Sequence, residues 1–357
     1  MGTIILSLVI IVVSVYLLAI VTEEYFITSL DQISVKLKLP SNVAGASLMA
    51  MGSSAPELAI ALLALFNHGG EHSDVGIGTI VGSAVFNILV ITGVSAIVRP
   101  AQITMRVVVR DIVVYVASIA LLLATFADGV ITLLEAVAFL GLYAVYLIVL
   151  FNWDAFAPGT EVDVVENLET GMHEAHQNPN LLQRINHAVT KGIGFLMGDA
   201  RKAYIRTFLV SVVLIAIISW FLVEYAVELA NALNIPPVII ALTILAGGTS
   251  VPDLISSVVV SRQGRGEMAV ANAIGSNVFD ILVGLGLPWL LVIIIAVSVV
   301  NIGVQDLWGP TIILLITVII LFVFLSTGRQ LTRKEGWALV VAYVAFVMWT
   351  WIKGSGA

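Results

Sequence analysis

Three carboxylates, Glu57, Asp253 and Asp280, stand in stretches of chain that are otherwise apolar and hold no Lys or Arg. Hydroxyls precede them at helical spacing. Ser53 and Ser54 lie four and three residues before Glu57, Thr249 and Ser250 the same before Asp253, Ser276 four before Asp280, and Ser83 four before Asn87. Residues three and four apart are neighbours on a helix, so the spacing predicts each hydroxyl beside its own carboxylate or amide. Pro56 and Pro252 sit just ahead of two of the carboxylates. A proline lacks the N–H that would bond the carbonyl four residues back, which frees the carbonyls of Gly52 and Gly248. The resulting donor set is all oxygen and suits hard cations such as Ca²⁺. Zinc or copper would call for His or Cys, yet the chain has no Cys, and His68, His72, His173, His176 and His187 all fall in polar connecting segments. Fully ionised, the three carboxylates are balanced by three Na⁺, whereas one Ca²⁺ leaves a charge for a proton or a K⁺ to meet.

The elements that must position these groups are set by composition. The 357 residues are 60% hydrophobic and 11% charged, with a mean hydropathy of +1.08. Soluble domains run nearer half apolar and a quarter charged, so a soluble enzyme is excluded and an all-α, polytopic membrane protein is expected. No basic stretch offers a nucleic-acid footprint, and the absence of Cys removes disulfides and thiolate chemistry. No catalytic constellation stands out, and no cofactor is implied. At about 20 residues per crossing, apolar runs predict ten transmembrane helices near 3–26, 42–66, 75–98, 107–126, 131–151, 207–231, 237–260, 268–299, 310–327 and 336–352. The first run lacks a basic leader and a small-residue cleavage site, so it reads as a retained span rather than a signal peptide. With ten spans, 15 of the 16 basic residues fall on one face and only Lys353 on the other. The positive-inside rule then places both termini outside and the 152–206 loop in the cytoplasm. That loop begins acidic and ends basic and amphipathic, as a connector with an interfacial helix would.

The chain repeats itself. Gly52-Ser53-Ser54-Ala55-Pro56-Glu57 returns as Gly248-Thr249-Ser250-Val251-Pro252-Asp253, and Val81 to Val90 returns as Ile274 to Val283 with seven of ten pairs identical. The offsets are 196 and 193, so the copies occupy spans 2–3 (42–98) and 7–8 (237–299). Five spans separate them, an odd number, so equivalent helices run in opposite directions. Two inverted five-helix halves, 1–151 and 207–357, follow, an architecture of secondary transporters with a site near the midplane. Glu23 and Glu24 near one end of span 1, and Glu224 and Glu228 near the end of span 6, read as interfacial anchors.

Both repeats resemble the alpha-repeats of the cation/calcium exchanger superfamily, most closely the potassium-dependent sodium/calcium exchangers. The resemblance lies in Ala19 to Phe26, Val43 to Glu57, Gly76 to Asn87, and Asp253 to Asp280 running on to Pro288-Trp289. It implies an exchanger that exports Ca²⁺ on the Na⁺ gradient, in a plasma membrane, with a monomer as the working unit. It also implies that Glu57 and Asp253 are central Ca²⁺ ligands shared with Na⁺, and that Ser54, Ser83, Ser250 and Ser276 are Na⁺ ligands. Ser53 and Thr249 would add backbone carbonyls with those of Ala50 and Ala246, while Asn87 and Asp280 form a middle pair that adjusts site charge. Asp253 and Asp280 point to the potassium-dependent branch. A carboxylate at the place of Asp280 also occurs in potassium-independent members, so K⁺ and H⁺ both stay open as the third partner.

A proton-coupled Ca²⁺ exchanger is the alternative, but its expected Gly-Asn-x-x-Glu is replaced here by Gly-Ser with Asn87 or Asp280. A cation channel would place ligands in rings along a continuous pore, which an internal two-fold within one chain does not suggest. The topology makes a direct prediction: a cysteine at Gly171 should react only with reagents on the cytoplasmic side, and one at Gly70 only from outside. Labelling of both from the same side, scored with a membrane-impermeant maleimide, would break the inverted arrangement.

Overall fold

The computed structural model describes residues 2–36, 50–66, 73–102, 104–152, 181–198, 203–262, 264, 266–296 and 299–354. Apolar runs with few charges form helices because backbone groups within a bilayer must be satisfied inside their own segment. Eight helices are each long and apolar enough to cross: Gly2–Leu30, Ser73–Val98, Met105–Thr125, Leu133–Phe151, Tyr204–Leu233, Gly266–Ile295, Trp308–Ser326 and Arg333–Gly354. A ninth crossing is a pair, Pro237–Thr249 and Val251–Arg262, bent by 43° at the expected proline break. The expected second span is described only from Ala50 onward, as Ala50–Ser53 and the apolar helix Ala55–Phe66. The count among the described residues is therefore nine crossings plus this half-span, against the ten expected. Below, spans keep the numbers of the ten-helix reading.

Two short sheets fix how the helices connect. Strand β1 (Ala101–Gln102), after span 3, pairs with β4 (Gln330–Leu331), after span 9. Strand β2 (Val130–Ile131), after span 4, pairs with β3 (Val300–Asn301), after span 8. Strands can pair only at one face of the membrane, so an even number of crossings must separate partners. Between β2 and β3 lie Leu133–Phe151, Tyr204–Leu233, the bent pair and Gly266–Ile295, an even number only if the bent pair crosses once. It is a broken span, not a re-entrant loop. The helix Leu181–Met197, in the loop before span 6, does not cross.

The two ladders are also images of one another. Ala101 faces Leu331 and Gln102 faces Gln330, while Val300 faces Ile131 and Asn301 faces Val130. Turning one half onto the other carries each pair into its counterpart in the same register. The helices that follow β2 and β4 start alike. The Thr132 backbone N–H donates to the Glu135 carboxylate and the Glu135 N–H to the Thr132 hydroxyl, and Thr332 and Glu335 form the same capping box, which satisfies helix-terminal donors. The repeat thus extends through spans 5 and 10, beyond the segments where residue identity shows it.

Span 3 is the centre. Of its most apolar window 89% is buried, against 17% for Leu133–Phe151 and 22% for Arg333–Gly354, which face outward. Glycines allow the crowding, as at other membrane helix contacts. A Cβ on Gly76 would stand 2.8 Å from Ala61 Cα, and one on Gly82 would strike the Leu242 carbonyl and lie 2.7 Å from Ala246 Cβ. Span 3 is thereby wedged between spans 2 and 7, bringing the two repeats into contact. Further along, Gly93 and Gly336 pack backbone to backbone. A Cβ on Gly336 would be 2.5 Å from the Gly93 carbonyl oxygen, while one on Gly141 would meet nothing within 4 Å. Gly336→Leu should therefore cost about 1–3 kcal/mol, seen as a lower unfolding midpoint in detergent, and Gly141→Leu should leave the midpoint unchanged.

Candidate cation site

Each helix of the bent pair and of span 2 restarts at a serine. Leu58 N–H bonds the Ser54 carbonyl and Leu254 N–H bonds the Ser250 carbonyl, both at 3.0 Å. The restarted helices, Ala55–Phe66 and Val251–Arg262, carry Glu57 and Asp253 in their first turns. A helix N-terminus bears roughly half a positive charge, so each carboxylate lies in the positive field of the helix end that carries it. Among the described residues none of the three carboxylates has an ion-pair partner. Ion pairs lie elsewhere, Arg110 with Asp111 at the start of span 4 and Lys353 with Asp306.

Spans 2, 3, 7 and 8 bring these groups together. Glu57, Ser54, Ser83, Asn87, Thr249, Ser250, Ser276 and Asp280 are all buried, while Ser53 and Asp253 are half-buried. Asp280 lies within electrostatic reach of both Glu57 and Asp253. The hydroxyl pairing differs from the expected one. Thr249, of the second repeat, stands beside Glu57 of the first, and Ser54, of the first, stands beside Asp280 of the second. Glu57 and Asp280 thus each have a hydroxyl from the opposite repeat beside them.

Hydroxyl orientation follows one rule. Ser83 donates to the Ile80 carbonyl at 3.0 Å, Ser276 to Ala273 at 3.3 Å and Thr249 to Ala246 at 3.3 Å. With each proton committed to the carbonyl three residues back, the oxygen lone pairs are left for other partners. The Ala246 carbonyl, one of the expected backbone ligands, also accepts the Ser250 N–H at 3.3 Å. Of Ala50 the structure describes the backbone, at the start of Ala50–Ser53. Of the buried side-chain oxygens that have no hydrogen-bond partner among the described residues, four belong to this cluster: Glu57 Oε2, Asn87 Oδ1, Ser250 Oγ and Asp280 Oδ1. An orphaned buried acceptor costs about 1–3 kcal/mol, and four such groups in one place are the donor set of a hard-cation site.

Two residues outside the expected set shape it. Asn277 Nδ2 donates to the Ala84 carbonyl at 3.1 Å and to the Tyr115 hydroxyl at 2.9 Å, and Asn277 Oδ1 accepts from Asn87 Nδ2 at 2.8 Å. A carbonyl only accepts, so Ala84 fixes which end of the Asn277 amide is which. That in turn fixes Asn87, whose amide nitrogen is held here and, at 3.4 Å, by Ser276, leaving its oxygen as the free end. Asn277 adjoins Ser276 in the repeat and could have been singled out; Tyr115, in span 4, gave no sequence signal. Glu23, expected as an anchor, is half-buried on the π-helical turn Val21–Ile27 and lies within electrostatic reach of Asp253. The expected histidines His68, His72, His173 and His176 lie outside the described residues, as does the side chain of His187.

Inverted repeats with broken spans meeting at a buried oxygen cluster define a secondary transporter. The sequence profile described as "Sodium/calcium exchanger protein" matches residues 6–152 and 203–352, and the chain belongs to that family. Among curated relatives, human sodium/potassium/calcium exchanger 5 is 30% identical over 96% of this chain and 82% of its own length, and mouse sodium/potassium/calcium exchanger 4 is 28% identical over 93% and 78%. Among solved structures, the sodium-calcium exchanger NCX_Mj soaked with zero Na⁺ and Ca²⁺ superposes with a TM-score of 0.57 at 20% identity, covering 95% of this chain and 97% of that one. The H⁺/Ca²⁺ exchanger CAX superposes with a TM-score of 0.66 at 15% identity, covering 97% and 81%. At these identities the structural likenesses show the fold.

The amide chain gives a test of its own. Asn277→Ala strands the Ala84 carbonyl and the Asn87 amide together and should cost about 1–3 kcal/mol, read as a lower unfolding midpoint. Tyr115→Phe, which keeps the Ala84 bond, should cost at most about 1 kcal/mol.

Proposed function

We propose that the protein is an antiporter that exchanges Na⁺ for Ca²⁺ by alternating access and exports Ca²⁺. The observation that carries this reading is the set of four unpartnered buried oxygens on Glu57, Asn87, Ser250 and Asp280, drawn from both repeats and faced by no basic side chain among the described residues. Glu57 and Asp253 bind Ca²⁺ or, alternately, Na⁺; one pair of carboxylates cannot hold both sets of ions, and that competition couples the two fluxes. Ser54, Ser83, Ser250 and Ser276 complete the Na⁺ positions, and the carbonyls of Ala50, Ser53, Ala246 and Thr249 line the helix breaks. The relatives named for sodium, potassium and calcium exchange support Na⁺ and Ca²⁺ as the exchanged ions and K⁺ as a companion of Ca²⁺. The halves 1–151 and 207–357 form one working unit, so a monomer suffices. The distribution of basic residues supports a plasma-membrane orientation with both termini outside. Against proton coupling stands the motif itself, which has Gly82-Ser83 and Gly275-Ser276 where that branch carries Gly-Asn.

Glu57→Gln and Asp253→Asn should each lower Na⁺-gradient-driven Ca²⁺ uptake into proteoliposomes at least about 100-fold while leaving insertion intact, since each removes a charge made for the cation. Near-normal uptake in either variant would refute the site. Asp280 decides the third partner. With Ca²⁺ on Glu57 and Asp253, an ionised Asp280 is a buried charge that needs a counterion, and K⁺ supplies it. Wild-type Ca²⁺ flux should then require K⁺, and Asp280→Asn should run without it. Equal wild-type flux in K⁺-free buffer on both sides would assign the role to a proton instead.

A further inference from the structure

Over residues 189–197 of the helix Leu181–Met197, apolar side chains lie on two sides, and among the described residues one side is covered by protein. Val189, Ile193 and Met197, at successive four-residue steps, pack into the cluster formed by spans 1 and 6. Met197 is buried, with the Thr207 hydroxyl donating to its carbonyl at 3.2 Å and the Ser211 hydroxyl to its Sδ at 3.8 Å. The Tyr25 hydroxyl of span 1 donates to the Thr190 carbonyl at 2.5 Å. Thr207 and Ser211 are one and two turns into span 6, which starts at Tyr204, so the end of the helix is set at the depth where that span enters the bilayer. The other side carries Phe195, 89% exposed, and Leu196, 57% exposed.

Those two side chains do not stand alone. Ile205 and Leu209, on the first turns of span 6, are 59% and 57% exposed and continue the outward-facing apolar surface of the span. Continuity with a surface that faces acyl chains identifies the occupant as lipid rather than a second protein. Charge adds the headgroup. Lys191, one turn before Phe195, and Arg206, beside Ile205, are exposed, and neither has an ion-pair partner among the described residues. Arg206 Nη2 donates to the Leu196 carbonyl at 3.1 Å, which holds the guanidinium at the end of this helix with donors to spare. A helix in the interface plane with Phe and Leu toward the acyl boundary and basic residues at headgroup level is a recognised membrane-surface element.

We propose that the outer face of this helix, Phe195 and Leu196 with Ile205 and Leu209, is embedded in the leaflet at the basic end of the protein, and that Lys191 and Arg206 bind the phosphate of an anionic phospholipid there. The inference rests on the membrane topology and is independent of the transport reading. Its test uses the full-length protein in nanodiscs. The chain has no native Cys, and a Cβ on exposed Gly192 would meet nothing within 4 Å, so a bimane on Gly192→Cys reports on the face without altering it. Brominated phosphatidylglycerol should quench this label more effectively than brominated phosphatidylcholine at the same mole fraction. Lys191→Gln and Arg206→Gln should each weaken that preference roughly fivefold, the change one basic residue makes near an anionic surface. Replacing Phe195 and Leu196 together with Ser should open the label to aqueous iodide. Equal quenching by the two lipids would overturn the headgroup site. Iodide access in the parent equal to that of a label at Gly171 would overturn the embedding, as would shielding from both iodide and brominated lipid, which would mean a protein cover.

Discussion

Three carboxylates gathered among the membrane-spanning helices, without a basic partner among the described residues, are the constraint on which the rest depends. Burying unpaired charge is costly and is tolerated only with compensation from fixed dipoles or from a bound ion. The backbone provides the fixed part: two helices break, and their restarted N-termini point inward at Glu57 and Asp253. Those breaks need room, and the room comes from glycines in span 3 that let it touch the backbones of spans 2 and 7. The remaining charge is left for cations.

Much of this was legible in the sequence because the site is written twice. A Pro before a carboxylate is an ordinary kink in one copy; two inverted copies with matching hydroxyls leave little else to read. Two hydroxyl contacts, Thr249 with Glu57 and Ser54 with Asp280, were not legible because they join residues of opposite repeats. In spans 5 and 10 the repeat was expected from the span count alone, because its residue-level mark there is a turn and a capping box, Thr132 with Glu135 and Thr332 with Glu335, set in apolar sequence. Tyr115 was not legible either, since its meaning comes from Asn277, which is distant in sequence.

Symmetry of the frame contrasts with asymmetry of the contents. Asn87 stands where the second repeat has Asp280, and Ala84 where it has Asn277. The two differences are linked by hydrogen bonds: the extra amide of the second repeat grips the Ala84 carbonyl and turns Asn87 so that its oxygen is free. A neutral oxygen on one side and a charged one on the other set the total at three carboxylates rather than four or two. Glu23 repeats the theme in span 1, where its equivalent in span 6 is Val223. It adds one more carboxylate within electrostatic reach of Asp253.

The inverted repeat also has an electrical consequence. The two restarted helices begin near the same depth and run to opposite faces, so their macrodipoles oppose one another along the membrane normal while adding at the carboxylates. The site gains the positive ends of both helices, yet the pair presents almost no net dipole to the transmembrane field. A voltage across the bilayer therefore does little work on these helices themselves. It acts on the charge they carry between faces, at about 2.3 kcal/mol per elementary charge for each 100 mV, so the voltage dependence of such a molecule reads out the net charge of its loaded site.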